Sequence, residues 1–244
     1  MTKPSITAEE RPYHHGDLHR AIVNAALKVL SETQGTDFSL RELARRAGVS
    51  HNAPYKHFAD KRQLLAAVSA VGFDLLAKRM NDASQGLSSP RARLFAMARD
   101  YVRHGVENPA LYRLMFGGFL TGPDDGRPVI ERTAAEKTKA LLADAIINGA
   151  LGRAIPNTAR NERKIASAIL IFWSQMHGLT LLLVDRLVGP NGKSDELSES
   201  VLQGMLDGLT TRIPVLPAGT WVGPRESPKE KDLSRRCKPL PVLV

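Results

Sequence analysis

The chain has 244 residues, 43% of them hydrophobic, enough to bury a core in one larger domain or two smaller ones, which excludes general disorder. Its formal net charge of +9 favours an anionic partner, and the excess sits at the ends: residues 1–80 hold 12 Lys and Arg against 8 Asp and Glu, residues 214–244 six against three. The single cysteine, Cys237, rules out an internal disulfide, and MTKPSITAEERPYHHGD has no apolar leader stretch, so a cytoplasmic location is expected.

Residues 1–16 read as a flexible arm. A first helix is expected from a cap at Asp17 to Glu32, with Leu18, Ile22, Ala25, Ala26 and Val29 on one face and Gln34-Gly35 as its stop. The most informative segment is Phe38 to Leu65. Ser39 is an N-cap, and Glu42 follows at capping-box spacing, able to reach back to the Ser39 amide. Leu40, Leu43, Ala44 and Ala47 form the inner face of a short helix, Gly48 ends it with positive φ, and Val49 plugs the corner. Ser50 is the expected cap of a second helix whose outward residues are His51, Asn52, Ala53, Tyr55 and Lys56, kept short by Pro54. Two short helices joined by a tight Gly-containing turn form a helix-turn-helix, which lays its second helix in the DNA major groove.

The chemistry of that segment assigns roles. Asn52 can serve adenine bidentately, His51 can bond a purine edge, Arg41 can reach guanine or phosphate, and Ala53 offers a methyl to thymine. Ser39, Tyr55, Lys56, His57 and Lys61 are the candidate phosphate contacts, Lys61 in the first turn after Asp60, where helix amides face an anion. Arg45 and Arg46 read as solvated charges. His14 and His15 with Asp17 and His19 do not share one helical face, so no metal is expected, and no cofactor.

The run LRELARRAGVS…PYKHFADKRQLL, with YHHGDL upstream, resembles the N-terminal domain of the TetR family of bacterial regulators over about residues 13 to 65. The resemblance implies an all-α fold. A three-helix DNA-binding head with the helix-turn-helix, residues 17–65, precedes a larger helical ligand-binding and dimerisation domain, residues 66–213. It also points to base readers at Arg41, His51, Asn52 and Tyr55, to Tyr55 and Lys61 as phosphate contacts, and to a homodimer built from the last two helices.

Beyond the head the pattern stays helical. Asp60 caps a helix over 61–80, Gly86–Ser89 is a break, and Pro90 opens a helix to about 106. A short helix follows from Pro109 to Phe119, then the turn TGPDDGRP, then helices over 129–150 and 158–187 split by GRAIPN, and a last one over 195–212. Residues 214–244, with six of the 15 prolines, read as a flexible basic tail. The apolar run Ile169–Val184 is short for a membrane span and is interrupted by Ser174, Gln175 and His177, so burial between subunits is expected and no membrane partner. The expected dimer contacts are Ile169, Phe172, Leu197, Val201, Gly204, Met205 and Gly208. A cavity among the middle helices would be lined by Tyr101, His104, Tyr112, Met115, Phe116, Trp173, Met176 and His177, aromatics and Met that suit a small, mainly apolar effector. Trp173–Gly178, WSQMHG, resembles the helix that names a Trp-His-Gly subgroup of the same family.

These readings converge on a dimeric repressor of a palindromic operator, released by a small ligand. An activator and a ligand-independent DNA-binding protein remain open alternatives. An enzyme with a DNA-binding head finds no support, since the chain shows no Ser/His/acid order, phosphate loop or metal spacing.

Overall fold

The structure is a computed structural model that describes residues 15–117, helical positions between 133 and 144, and residues 159–188 and 194–211. Among the described residues every regular element is a helix: α1 (His15–Thr33), α2 (Leu40–Arg46), a 3₁₀ turn (Pro54–Lys56), α3 (Lys61–Ser84), α4 (Pro90–Glu107), α5 (Pro109–Phe116), α6 (Ala159–Val184) and α7 (Ser194–Thr211). The flexible-arm residues up to His14, the TGPDDGRP turn, the GRAIPN break and the basic tail lie outside the described residues.

Local chemistry sets the boundaries. α1 begins at His15, two residues before the expected cap, and closes at Thr33 with Gln34, rather than the glycine beside it, at φ 55°. Ser39 caps α2 by accepting from the Glu42 amide at 3.1 Å. Gly48 at φ 68° ends α2 in a Schellman arrangement, its N–H on the Arg45 carbonyl and that of Val49 on Ala44. Asp60 caps α3 through the Gln63 amide at 2.8 Å, and the Gln63 side chain returns a bond to the Ala59 amide. Ser89 caps α4 with Pro90 at its first position.

The expected second helix of the motif is corrected. Ser50 caps no helix; its carbonyl accepts from Ala53, and bonds of three-residue spacing continue from Lys56 to Ala53 and from His57 to Pro54. The cause is Pro54. An α-helix starting at Ser50 would need the amide of residue 54 for the Ser50 carbonyl, and proline has none. The segment tightens into a turn and one 3₁₀ turn instead.

One continuous core joins head and body, from Leu18 on α1 to Leu206 on α7. Leu64 to Ala70 are all buried, so the first half of α3 is covered on every side. α3 packs along α4, α4 packs on α6 and α7, and α5 touches α1, α3 and α4 at once. The two glycine-dependent crossings follow from this. A methyl at Gly72 would lie 2.6 Å from the Met115 sulfur, and one at Gly105 would lie 2.2 Å from Thr180 Cγ2.

Candidate functional site

On the head, the polar side chains sort into spent and free. Glu42 takes Arg45 at 2.8 and 3.1 Å and Arg46 at 2.9 Å, and Arg46 also pairs with Glu32. The hydrogen bonds from Arg45 and Arg46 hold the Glu42 carboxyl down at about 2. This corrects the capping box: Glu42 serves the two arginines rather than the Ser39 amide, and both arginines are held as neighbours of it. In contrast Arg41, His51, Asn52, Tyr55 and Lys56 are exposed, Tyr55 by 51%, and none makes a side-chain hydrogen bond or ion pair among the described residues. Lys61 sits 5.1 Å over the Phe38 ring, which orients its ammonium at the start of α3.

Two head residues depart from expectation. Ala53 is buried in the core, so its methyl is not available to thymine. His57 turns inward: its ring stands edge-on to His19 at 6.0 Å and its Nε2 is covered. It is the weakest of the phosphate candidates for that reason.

In the body, five of the eight pocket candidates meet in one aromatic cluster. Phe116 lies 4.7 Å from Tyr112, 4.9 Å from His177 and 6.2 Å from Tyr101, and Trp173 lies 5.7 Å from His177. Their polar atoms form a chain. Trp173 Nε1–H donates to the Tyr101 hydroxyl at 3.3 Å, the hydroxyls of Tyr101 and Tyr112 are 3.0 Å apart, and Tyr112 Oη lies 2.6 Å from His177 Nδ1. Burial lowers the His177 pKa and so favours its neutral ring. Tyr112 donates to the Tyr101 hydroxyl, and one hydroxyl hydrogen cannot serve two acceptors, so the tautomer of His177 sets whether Nδ1 donates to Tyr112 and whether Nε2 is left as an acceptor or a donor. Burial also raises both tyrosine pKa values, keeping the phenols protonated.

Three candidates lie elsewhere. His104 is buried beside Arg79 and Glu107, its Nε2 without a partner, and burial pushes its pKa down to about 4. Met115 fills the joint between α5 and Gly72 of α3, and Met176 is fully buried under α6 with its carbonyl bonded by Thr180 at 2.7 Å. Sequence reasoning missed Phe73, which stands edge-on to Phe116 at 5.2 Å, and Gly105, whose missing side chain admits Thr180 and Tyr112. Nothing in the spacing links residue 73 to residue 116; only the α3–α5 crossing does.

The expected dimer contacts divide too. Phe172 and Met205 are buried inside the chain and so cannot present a surface; their helices pack on α4 and on each other. Ile169 and Leu197 are half-buried. Val201, Gly204 and Gly208 are exposed, and a methyl at Gly178, Gly204 or Gly208 would meet nothing within 4 Å. On α6, Leu182, 42% exposed, and Ser174 and Gln175 are exposed as well. The apolar stretch of α6 is longer than the sequence reading gave it, Ala166–Val184, mean hydropathy 1.6, with 39% buried, so length and composition alone would let it cross a bilayer.

Comparison with known proteins fits this layout. Residues 22–68 match the model described as bacterial regulatory proteins, tetR family, and residues 94–205 match that described as tetracyclin repressor-like, C-terminal domain. A solved Rhodococcus sp. RHA1 protein of unknown function is 30% identical with a TM-score of 0.68, covering 83% of this chain and all of that one. The HTH-type transcriptional regulator BetI of Rhizobium meliloti is 35% identical over 83 residues, 33% of this chain and 39% of its own. The nucleoid occlusion factor SlmA of Marinobacter nauticus is 23% identical over 129 residues, 53% and 66% respectively. The chain therefore spans less than two thirds of the length of these two curated relatives.

Proposed function

The chain belongs to the TetR family of bacterial regulatory proteins, and we propose that it is a dimeric transcriptional repressor that binds a palindromic operator and is released by a small, mainly apolar ligand. The observation that carries the reading is the contrast on the head. Arg41, His51, Asn52, Tyr55 and Lys56 stand exposed and unpaired among the described residues while neighbouring Arg45 and Arg46 are engaged by Glu42. In this reading residues 17–65 are the DNA-binding domain, residues 66–213 bind ligand and dimerise, residues 1–16 are an arm and residues 214–244 a tail. Arg41, His51, Asn52 and Tyr55 read bases; Ser39, Tyr55, Lys56 and Lys61 hold phosphate. Base contacts supply the sequence choice, phosphate contacts the affinity.

One head covers few base pairs, so two are needed, and the exposed face of Leu182, Val201, Gly204 and Gly208 is where the second copy packs. The ligand occupies the aromatic cluster of Phe116, Trp173 and His177. Its polar atoms bond one another and leave His177 Nε2 over, which favours an apolar molecule with a single polar group. We place the C-terminal domain in the Trp-His-Gly subgroup on WSQMHG, with a regulatory rather than catalytic role in the cytoplasm. Footprinting on the DNA flanking its own gene tests the reading: one protected palindrome is expected, lost on adding an apolar ligand that raises the melting temperature. Equal affinity for random DNA would refute operator recognition. Tight operator binding that no ligand relieves would refute the release step.

A further inference from the structure

We propose that the groove between α4, α6 and α7 is a second small-molecule site, one that takes an α-amino acid with an apolar side chain. The groove encloses about 250 Å³. Arg99 and Arg103, one turn apart on α4, both line it. Arg79, Arg91 and Arg113 each hold a carboxylate. Arg99 and Arg103 make no hydrogen bond or ion pair among the described residues, and the Nε of Arg99 is buried without a partner. The planar fork of a guanidinium is shaped for the two oxygens of a carboxylate. That places the anionic end of the ligand.

The opposite charge comes from α7. Asp195 and Glu199 line the groove, unpaired among the described residues and beyond 4 Å of either guanidinium, while the third acid, Glu107, is already held by Arg79. Two guanidiniums and two carboxylates lining one groove, with Arg103 also within electrostatic reach of Glu107, match a molecule that carries one charge of each sign. They disfavour a phosphate or a dicarboxylate, which would meet uncompensated repulsion. Val102, Val106 and Leu183 supply the apolar wall for a side chain.

The groove is separate from the aromatic cluster. On α4 the residues Tyr101 and Gly105 meet Tyr112, Trp173 and Thr180, whereas Arg99, Val102, Arg103 and Val106 turn to the α7 side. On α7, Asp195 and Glu199 lie on the side away from Leu197, Val201 and Gly204 by helical periodicity, so a dimer packed through that face leaves the groove open.

Isothermal titration of the full chain tests this, with L-leucine as probe. 4-Methylpentanoate, which lacks the ammonium, and 3-methylbutylamine, which lacks the carboxylate, are its one-ended counterparts. L-leucine is expected to bind once per chain, each counterpart about tenfold or more weaker, since one lost charged contact is worth that factor. Arg99→Gln and Glu199→Gln should each weaken L-leucine by a similar factor, and Arg103→Lys, which keeps charge and fold but loses the fork, should weaken it too. Tyr112→Phe, in the aromatic cluster, should leave it unchanged. Absence of L-leucine binding up to about 10 mM, a range that covers weak metabolite sites, overturns the proposal. So does binding that survives Arg99→Gln with Arg103→Lys, or that disappears with Tyr112→Phe. Equal affinity for 4-methylpentanoate removes the role given to Asp195 and Glu199.

Discussion

Replacing Gly105 by alanine tests the α4–α6 crossing at its tightest point. The new methyl would lie 2.2 Å from Thr180 Cγ2 and 3.0 and 3.2 Å from two ring carbons of Tyr112. Neither neighbour has room to retreat. Thr180 is fully buried with its hydroxyl bonded to the Met176 carbonyl at 2.7 Å, and Tyr112 is fully buried in the hydroxyl chain. In an open helix the same change would stabilise by about 1 kcal/mol. Overpacking a close-packed core costs about 1–3 kcal/mol and occasionally more, and a contact this short belongs at the upper end. The net expectation is a loss of about 2 kcal/mol, read by urea denaturation at fixed protein concentration as a lower midpoint with an unchanged slope. Because the displaced ring belongs to Tyr112, Trp173 fluorescence should shift as well. A variant as stable as the parent, or more stable by the helix-propensity gain, would show that the two helices do not approach this closely.

On the head, Asn52→Ala should cost about 1–3 kcal/mol on the operator and relax choice at one base pair, whereas Lys61→Ala should weaken all DNA alike and flatten the salt dependence. Equal losses on operator and random DNA for both variants would overturn this division of roles. Leu182→Asp puts a charge on the exposed α6 face, and sedimentation should show monomer with helix content intact; an unchanged dimer would move the interface elsewhere. His104 gives a pH signature. Its pKa falls from 6.5 to about 4 on folding, so between these values the unfolded chain binds a proton that the folded chain refuses. Its contribution is complete above about pH 6.5 and is lost as pH falls toward 4, at no more than about 1.4 kcal/mol per pH unit. Denaturation of the parent and of His104→Gln between pH 7 and 5 measures it: the parent should lose more stability, and parallel losses would contradict the buried, neutral ring.

Local signals made the head legible. Ser39, Gly48, Asp60 and Pro90 act within a few residues of themselves, through caps, one positive φ and a first-turn proline, so the sequence alone located those helix boundaries and with them the helix-turn-helix segment. Pro54 was equally local, yet its effect was underestimated: removing one amide turned a short helix into a 3₁₀ turn and carried Ala53 into the core. The charge pattern was ambiguous where one carboxylate has two suitors, and only the folded head shows Glu42 spent on Arg45 and Arg46.

Tertiary packing decided the rest. A helix that is apolar on two sides does not say which stripe meets its own chain. On α6 and α7 packing within the chain turned Phe172 and Met205 inward and left Leu182, Val201 and the open glycines outside. The aromatic cluster likewise depends on residues more than 60 positions apart, Tyr112 and His177, joined through the gap at Gly105. The sequence by itself thus determined that the chain is helical and which residues of the head are candidates to meet DNA. Which side chains meet in the interior aromatic cluster, and which faces of α6 and α7 stay exposed, followed from helix crossings, because those contacts are set by interaxial geometry and not by neighbours along the chain.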